Sequence, residues 1–149
     1  PGVKGNFKSL LWLLSLNIPL PFANIKNLRS FVALENLAKL VELCIRYEKP
    51  INQPLFVSDC YDIGTSDLLE IISRATENNL RLLNVPHQTV RAVSKLFGLS
   101  SRLDKLYNSL QVDVEETKRI LEWQPTISLE DAIREMVVTS NNVKYTTSK

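Results

Sequence analysis

Apolar residues recur along this chain at helical spacing far more often than in strand-like alternation. Phe7, Leu10, Leu11 and Leu14 form an i, i+3, i+4, i+7 stripe that predicts a helix over 7–16, with Asn6 placed to cap it. Pro19 and Pro21 end that helix, because proline removes a backbone donor and drives the residue before it to extended geometry. After the loop 23–27, the β-branched and aromatic run 28–34 predicts a strand. Leu37, Leu40, Val41, Cys44 and Ile45 mark one face of the clearest amphipathic helix, which Pro50 stops. Asn36, after Glu35 at the start of that helix, reads as a capping residue.

Residues 55–57 predict a short strand, followed by the polar turn Ser58-Asp59. Gly64 and Thr65 open a helix with Asp67 in its first turn, where a carboxylate suits the positive end of the dipole. Its apolar face is Leu68, Leu69, Ile72 and Ala75, and Asn78-Asn79 breaks it. A further strand is expected at 81–85, stopped by Pro86, and Val90, Val93 and Phe97 carry a helix to Gly98. Asp113 stands three before Glu116 and Ser128 three before Asp131, two variants of the capping box. Residues 139–149 are polar and aperiodic, which predicts a flexible tail after a domain spanning 1–138. A few short strands among more numerous helices are too few for an independent doubly wound sheet. They are expected to complete or flank a sheet that lies outside this sequence.

Composition narrows the function classes. At 149 residues, 44% hydrophobic and 23% charged, the chain has the make-up of one globular domain with a real core. A net charge of +2 with scattered basic residues argues against nucleic acid as a partner. No apolar run is long enough to cross a membrane; Leu10 to Leu20 comes nearest and contains Ser15, Asn17 and Pro19. No signal peptide is visible, and Pro1 is not an initiator, so the sequence is expected to come from something longer. Cys44 falls in the apolar register of a helix and Cys60 in a polar loop. Without a CxxC, and with His87 as the sole histidine, a zinc site is not expected, and idle thiols in a reducing compartment are.

Several catalytic signatures are excluded. The four glycines stand at positions 2, 5, 64 and 98, so no GxGxxG cradles a dinucleotide pyrophosphate. There is no GxSxG and no HExxH. Tyr145 and Lys149 have the Tyr-x-x-x-Lys spacing, but in a Thr-rich end without an apolar face, where it reads as coincidence. Arg29 interrupts an otherwise apolar strand. Its guanidinium can reach solvent, pair with a carboxylate, or make a bidentate phosphate contact. Asn6 reads alone as a cap and Arg102, after Leu-Ser-Ser, as a solvated residue.

Taken in order, the segments PGVKGNF at 1–7, IPLPFANIKNLRSFVALENLAKLVELC at 18–44, LFVSD at 55–59 and TSDLLEII at 65–72 carry a pattern. Val85-Pro86, RL at 102–103, SLQVD at 109–113 and LEWQP at 121–125 continue it. Together they resemble the C-terminal half of an extended short-chain dehydrogenase/reductase of the NAD-dependent epimerase/dehydratase family, in its UDP-glucose 4-epimerase-like branch. The resemblance implies a helix-rich α/β fold, the substrate-binding portion of such an enzyme with a few short strands and without its Rossmann core. It implies binding of a UDP-hexose, with NAD and the catalytic Tyr and Lys belonging to the absent N-terminal half. Asn6, Arg29 and Arg102 would meet the diphosphate, while Leu20 and Phe22 would lie against the uracil. The implied parent is a cytoplasmic isomerase of surface-polysaccharide synthesis, in a family where homodimers are common, and the chain alone is not competent for the reaction. A 4,6-dehydratase or a 4-keto-sugar reductase shares this portion, and a non-catalytic interaction domain is the reading from another class. Glu122 departs from the pattern, since many relatives have Gly there.

Overall fold

The computed structural model describes residues 6–96 and 106–146, with side chains left out at Asn6, Lys8, Ser9, 93–96 and 139–146. In chain order the elements are α1 (Asn6–Ser15), β1 (Arg29–Ser30), α2 (Leu34–Arg46), β2 (Asp62–Ile63), α3 (Thr65–Ala75), α4 (His87–Leu96), α5 (Glu115–Leu121) and α6 (Leu129–Thr146). The expected helix-rich α/β character holds. The sheet of the described residues has two antiparallel strands, with Arg29 opposite Ile63 and Ser30 opposite Asp62.

α3 is the element the others pack around. Its face Leu68, Leu69 and Ile72 is at most 2% exposed and touches α1 through Leu10 and Leu14 and α6 through Ile133 and Val137. Burying side chains of this size is worth about 1.5–3 kcal/mol each, and this is the larger of the two apolar clusters among the described residues. A smaller cluster of Leu40, Leu121 and Trp123 gathers Cys44, Tyr47, Leu55 and Val57 on the inner side of α2.

The strand expected at 28–34 is shorter. Beyond Ser30 the chain is taken over by Asp59, whose N–H donates to the Phe31 carbonyl at 2.8 Å and whose Oδ2 accepts from the Ala33 N–H at 2.9 Å. α2 then begins at Leu34, so Asn36 is not a cap. Instead it is fully buried and donates from Nδ2 to Asp59 Oδ1 at 2.7 Å and to the Ile127 carbonyl at 2.8 Å. Its Oδ1 accepts from the N–H groups of Thr126 and Ile127 at 2.9 and 3.1 Å. One amide thus welds α2 to the chain leading into α6. Residues 55–57 form no strand, and 81–85 contributes a single bridge, Leu82 to Leu20.

Helix ends explain several boundaries. Ser128 Oγ accepts from the Asp131 N–H at 3.1 Å and donates to Asp131 Oδ2 at 2.6 Å, the expected capping box of α6. Asp113 Oδ1 instead takes the Glu115 N–H at 2.9 Å, one residue short of the box. α6 runs to Thr146, through a stretch that looked aperiodic, because nothing between Leu129 and Thr146 is Gly or Pro. α3 ends in a Schellman motif: the Asn78 N–H donates to the Ser73 carbonyl at 3.0 Å and the Glu77 N–H to the Arg74 carbonyl at 3.4 Å. Glu77 holds the left-handed position with φ 53°, and Glu122 does so after α5 with φ 49°. The end of the helix expected to reach Gly98, and the full Tyr145-to-Lys149 spacing, lie outside the described residues.

Candidate functional site

Residues 20–30 are tied to three separate parts of the chain. The Leu20 N–H donates to the Arg81 carbonyl and the Leu83 N–H returns to the Leu20 carbonyl, both at 2.8 Å. Ser66 Oγ donates to the Phe22 carbonyl. Asn27, 3% exposed, presents Oδ1 to the Thr65 N–H at 3.0 Å and so caps α3 from a distant segment. On its other side the Leu110 N–H donates to the Leu28 carbonyl, the Ser30 N–H to the Leu110 carbonyl, and the Val112 N–H to Ser30 Oγ at 2.8 Å. Proline-enforced extension is what makes this possible, since a helix through 19–22 would have consumed the same groups internally.

Arg29 sits half-buried at the strand pair, and its Nη1 donates to the Asn108 carbonyl at 3.2 Å. That carbonyl also takes Asn27 Nδ2 at 3.4 Å, so one oxygen orients both side chains. A guanidinium has five donors in a fixed fork, and this bond fixes the orientation of the group at the strand pair. Nearby, Ser30 Oγ donates to Asp62 Oδ1 at 2.5 Å and Gln111 Nε2 to Asp62 Oδ2 at 2.7 Å. Those bonds, Gln111 first, hold the Asp62 carboxyl below its ordinary range.

Leu20 and Phe22 are each 2% exposed and belong to the main core. Their side chains are covered and the polar backbone groups of residues 20–22 are engaged within the fold, the Phe22 N–H donating to the Leu20 carbonyl at 2.9 Å, so this segment offers a ligand van der Waals surface rather than free donors. Tyr107 meets Phe22 edge-on at 6.2 Å between ring centres, lies 4.4 Å from the His87 ring, and donates its hydroxyl to the Pro21 carbonyl at 3.3 Å. Burial pushes the Tyr107 phenol up. Asn6 opens α1 about which only the backbone is described, and Arg102 lies outside the described residues. Among the expected residues, the structure therefore brings Leu20, Phe22 and Arg29 onto one segment. Sequence reasoning missed Asn27, Tyr107 and Asn108, whose roles come from contacts about 80 positions away in the chain and leave no local signal. A separate concavity of about 600 Å³ between α3 and residues 125–130 is lined by Asp59, Asp67, Glu70 and Arg74, and none of the expected residues lines it.

The chain is 40% identical over 136 residues to the UDP-glucose 4-epimerase of Vibrio cholerae. It is similar to part of that enzyme. The match takes in 91% of this chain and 42% of the epimerase, so the chain spans about two-fifths of the relative it matches. The UDP-glucose 4-epimerase of Thermotoga maritima, solved with UDP-glucose, superposes with a TM-score of 0.64 at 14% identity, covering 96% of this chain and 41% of that one. Pal from Bacillus thuringiensis gives a TM-score of 0.58 at 22% identity, covering 95% and 41%. At those identities the two structures speak for the fold: a helix-rich body with a two-stranded sheet, matching the C-terminal portion of an epimerase-like architecture. No protein-family model matches the chain.

Proposed function

We propose that residues 1–138 are the nucleotide-sugar-binding portion of an NAD-dependent UDP-hexose 4-epimerase. The observation that carries this is the 40% identity to a UDP-glucose 4-epimerase along nine-tenths of the chain. A related fold solved with UDP-glucose supports the ligand class. Arg29 is the diphosphate contact, its fork oriented by the Asn108 carbonyl. Asn6, at the start of α1, and Arg102 complete the phosphate site from other segments. The uracil lies against the backbone of Leu20–Phe22, whose covered side chains form the floor beneath it. The sequence holds no GxGxxG of the kind that cradles the NAD pyrophosphate. On this reading cofactor and proton transfer fall to polypeptide outside this sequence. This portion contributes remote binding energy that positions the sugar for them. The reading extends to a cytoplasmic homodimeric parent in polysaccharide synthesis, consistent with two unpaired cysteines.

Titration of the chain with UDP and with uridine tests this. Arg29→Ala is expected to weaken UDP about 10- to 150-fold, the roughly 1.5–3 kcal/mol of a charge-assisted hydrogen bond, and uridine less than about threefold. Equal losses for the two ligands would remove Arg29 from the diphosphate site, and an absence of UDP binding at millimolar concentration would sink the binding role.

A further inference from the structure

The apolar arc of α2 is wider than its own fold covers. A helix advances about 100° per residue, which places Asn36, Leu40 and Cys44 on the side packed against Leu121 and Trp123. Leu34, Ala38, Val41 and Ile45 fall on the next side, at i, i+4, i+7 and i+11, with Leu37 on the border. Leu34 is 67% exposed, Val41 49% and Ile45 79%. Glu35, Lys39, Glu42 and Arg46 occupy the third side, where Arg46 and Glu42 pair at 2.7 Å. A surface helix needs one apolar face for its core. This one has a second, continuous with the first but open to solvent, while its charges keep to the remainder.

We propose that the Leu34–Val41–Ile45 stripe is the seat of the polypeptide that accompanies this segment in its longer relatives, the three-fifths of the Vibrio cholerae epimerase that the chain does not match. The chain matches 42% of the Vibrio cholerae epimerase and 41% of each of the two solved structures, so in those proteins about one further domain accompanies the matched segment. The size of the stripe favours it over a second copy. Four side chains expose roughly 400 Å², well under the ~800 Å² per partner of a freely associating complex. A covalently linked neighbour sits at millimolar effective concentration and holds with less area. The inference rests on the same relationship to longer enzymes as the proposed function, though not on nucleotide binding.

The test compares two proteins: this chain alone, and a chimera in which it replaces the matched two-fifths of the Vibrio cholerae relative. Each is made with and without Val41→Gln plus Ile45→Gln, which keep helix propensity and charge. The chain alone is expected to keep its Tm within about 2 °C, while the chimera loses about 5 °C or more. Small, equal changes in both overturn the proposal, as does a large loss in the chain alone, which would assign the stripe to its own core. A concentration-dependent dimer of the chain alone, abolished by the substitutions in sedimentation equilibrium, overturns it in favour of a second copy. Should the chimera not fold, an environment-sensitive dye on Ile45→Cys, with Cys44→Ser and Cys60→Ser, is titrated with the unmatched part of the relative as a separate polypeptide. A blue shift there and not at a Glu42→Cys control supports docking; unchanged emission at both overturns it. UDP affinity of the chain alone is unaffected by the stripe substitutions, so failure here is distinguishable from failure of the binding role.

Discussion

Replacing Glu77 with glycine is expected to make this protein more stable. Glu77 occupies the left-handed position of the α3 Schellman motif with φ 53°, where its Cβ crowds the following carbonyl. That geometry costs a non-glycine residue about 1–2 kcal/mol. Glutamate also sets a negative charge just past the negative end of the helix dipole, worth about 0.3 kcal/mol at an exposed site. Against these, glycine loses more chain entropy on folding, about 0.5–1 kcal/mol. The terms leave a net gain of about 1 kcal/mol, or about 2–4 °C in Tm for a domain of this size. Urea unfolding of Glu77→Gly, Glu77→Gln and Glu77→Ala separates the contributions. Gln should recover only the charge term and Ala should gain little, because both keep the Cβ. Glycine at or below wild-type stability, with unchanged m-value, would refute the strain argument. The same reasoning gives a second gain of about 1 kcal/mol at Glu122, φ 49° after α5, and the two should add because they end different helices.

Asn36→Leu is expected to cost about 4 kcal/mol in urea unfolding. It strands the 8%-exposed Asp59 carboxylate and the N–H groups of Thr126 and Ile127 without their shared partner. Asp62 should make stability fall in acid: its folded carboxyl titrates below its ordinary 3.8, so the contribution is complete above that value and lost as pH falls through the lower one. Urea midpoints measured between pH 5 and pH 2 should show this slope reduced in Asp62→Asn and in Gln111→Ala.

Helix faces were legible because their evidence is local: Leu68, Leu69 and Ile72 repeat at helical spacing and are buried together. The Ser128–Asp131 cap was legible for the same reason. Two-residue strands such as β2 are too short to display a period, so Asp62–Ile63 gave no sign in the sequence. Asn36 was misread because a cap and a buried crosslink call for the same amide, and only its distant partners tell them apart. α2 misled in another way: periodicity reports an apolar arc without saying how many neighbours share it, so Val41 and Ile45 were expected inside and lie outside. At the site, Arg29 stood out as a cation in an apolar run, whereas Asn27 and Tyr107 owe their places to residues brought in from far along the chain.

The long-range ties of residues 20–30 also set an order of events during synthesis. The Arg29 guanidinium is steadied by Asn108 and the Ser30 hydroxyl by Val112, so neither can be in place on a nascent chain that has not yet reached those residues. Closing loops of this length is slow compared with forming the helices between them. Assembly of this segment is thus a late step, and a ribosome stalled before residue 112 would hold helices without the ties that fix residues 27–30. On the proposed function, a UDP-sugar present during translation would find nothing to hold until that point. Once the segment is complete, a ligand of the proposed class would stabilise the finished fold by mass action and so act as a folding aid.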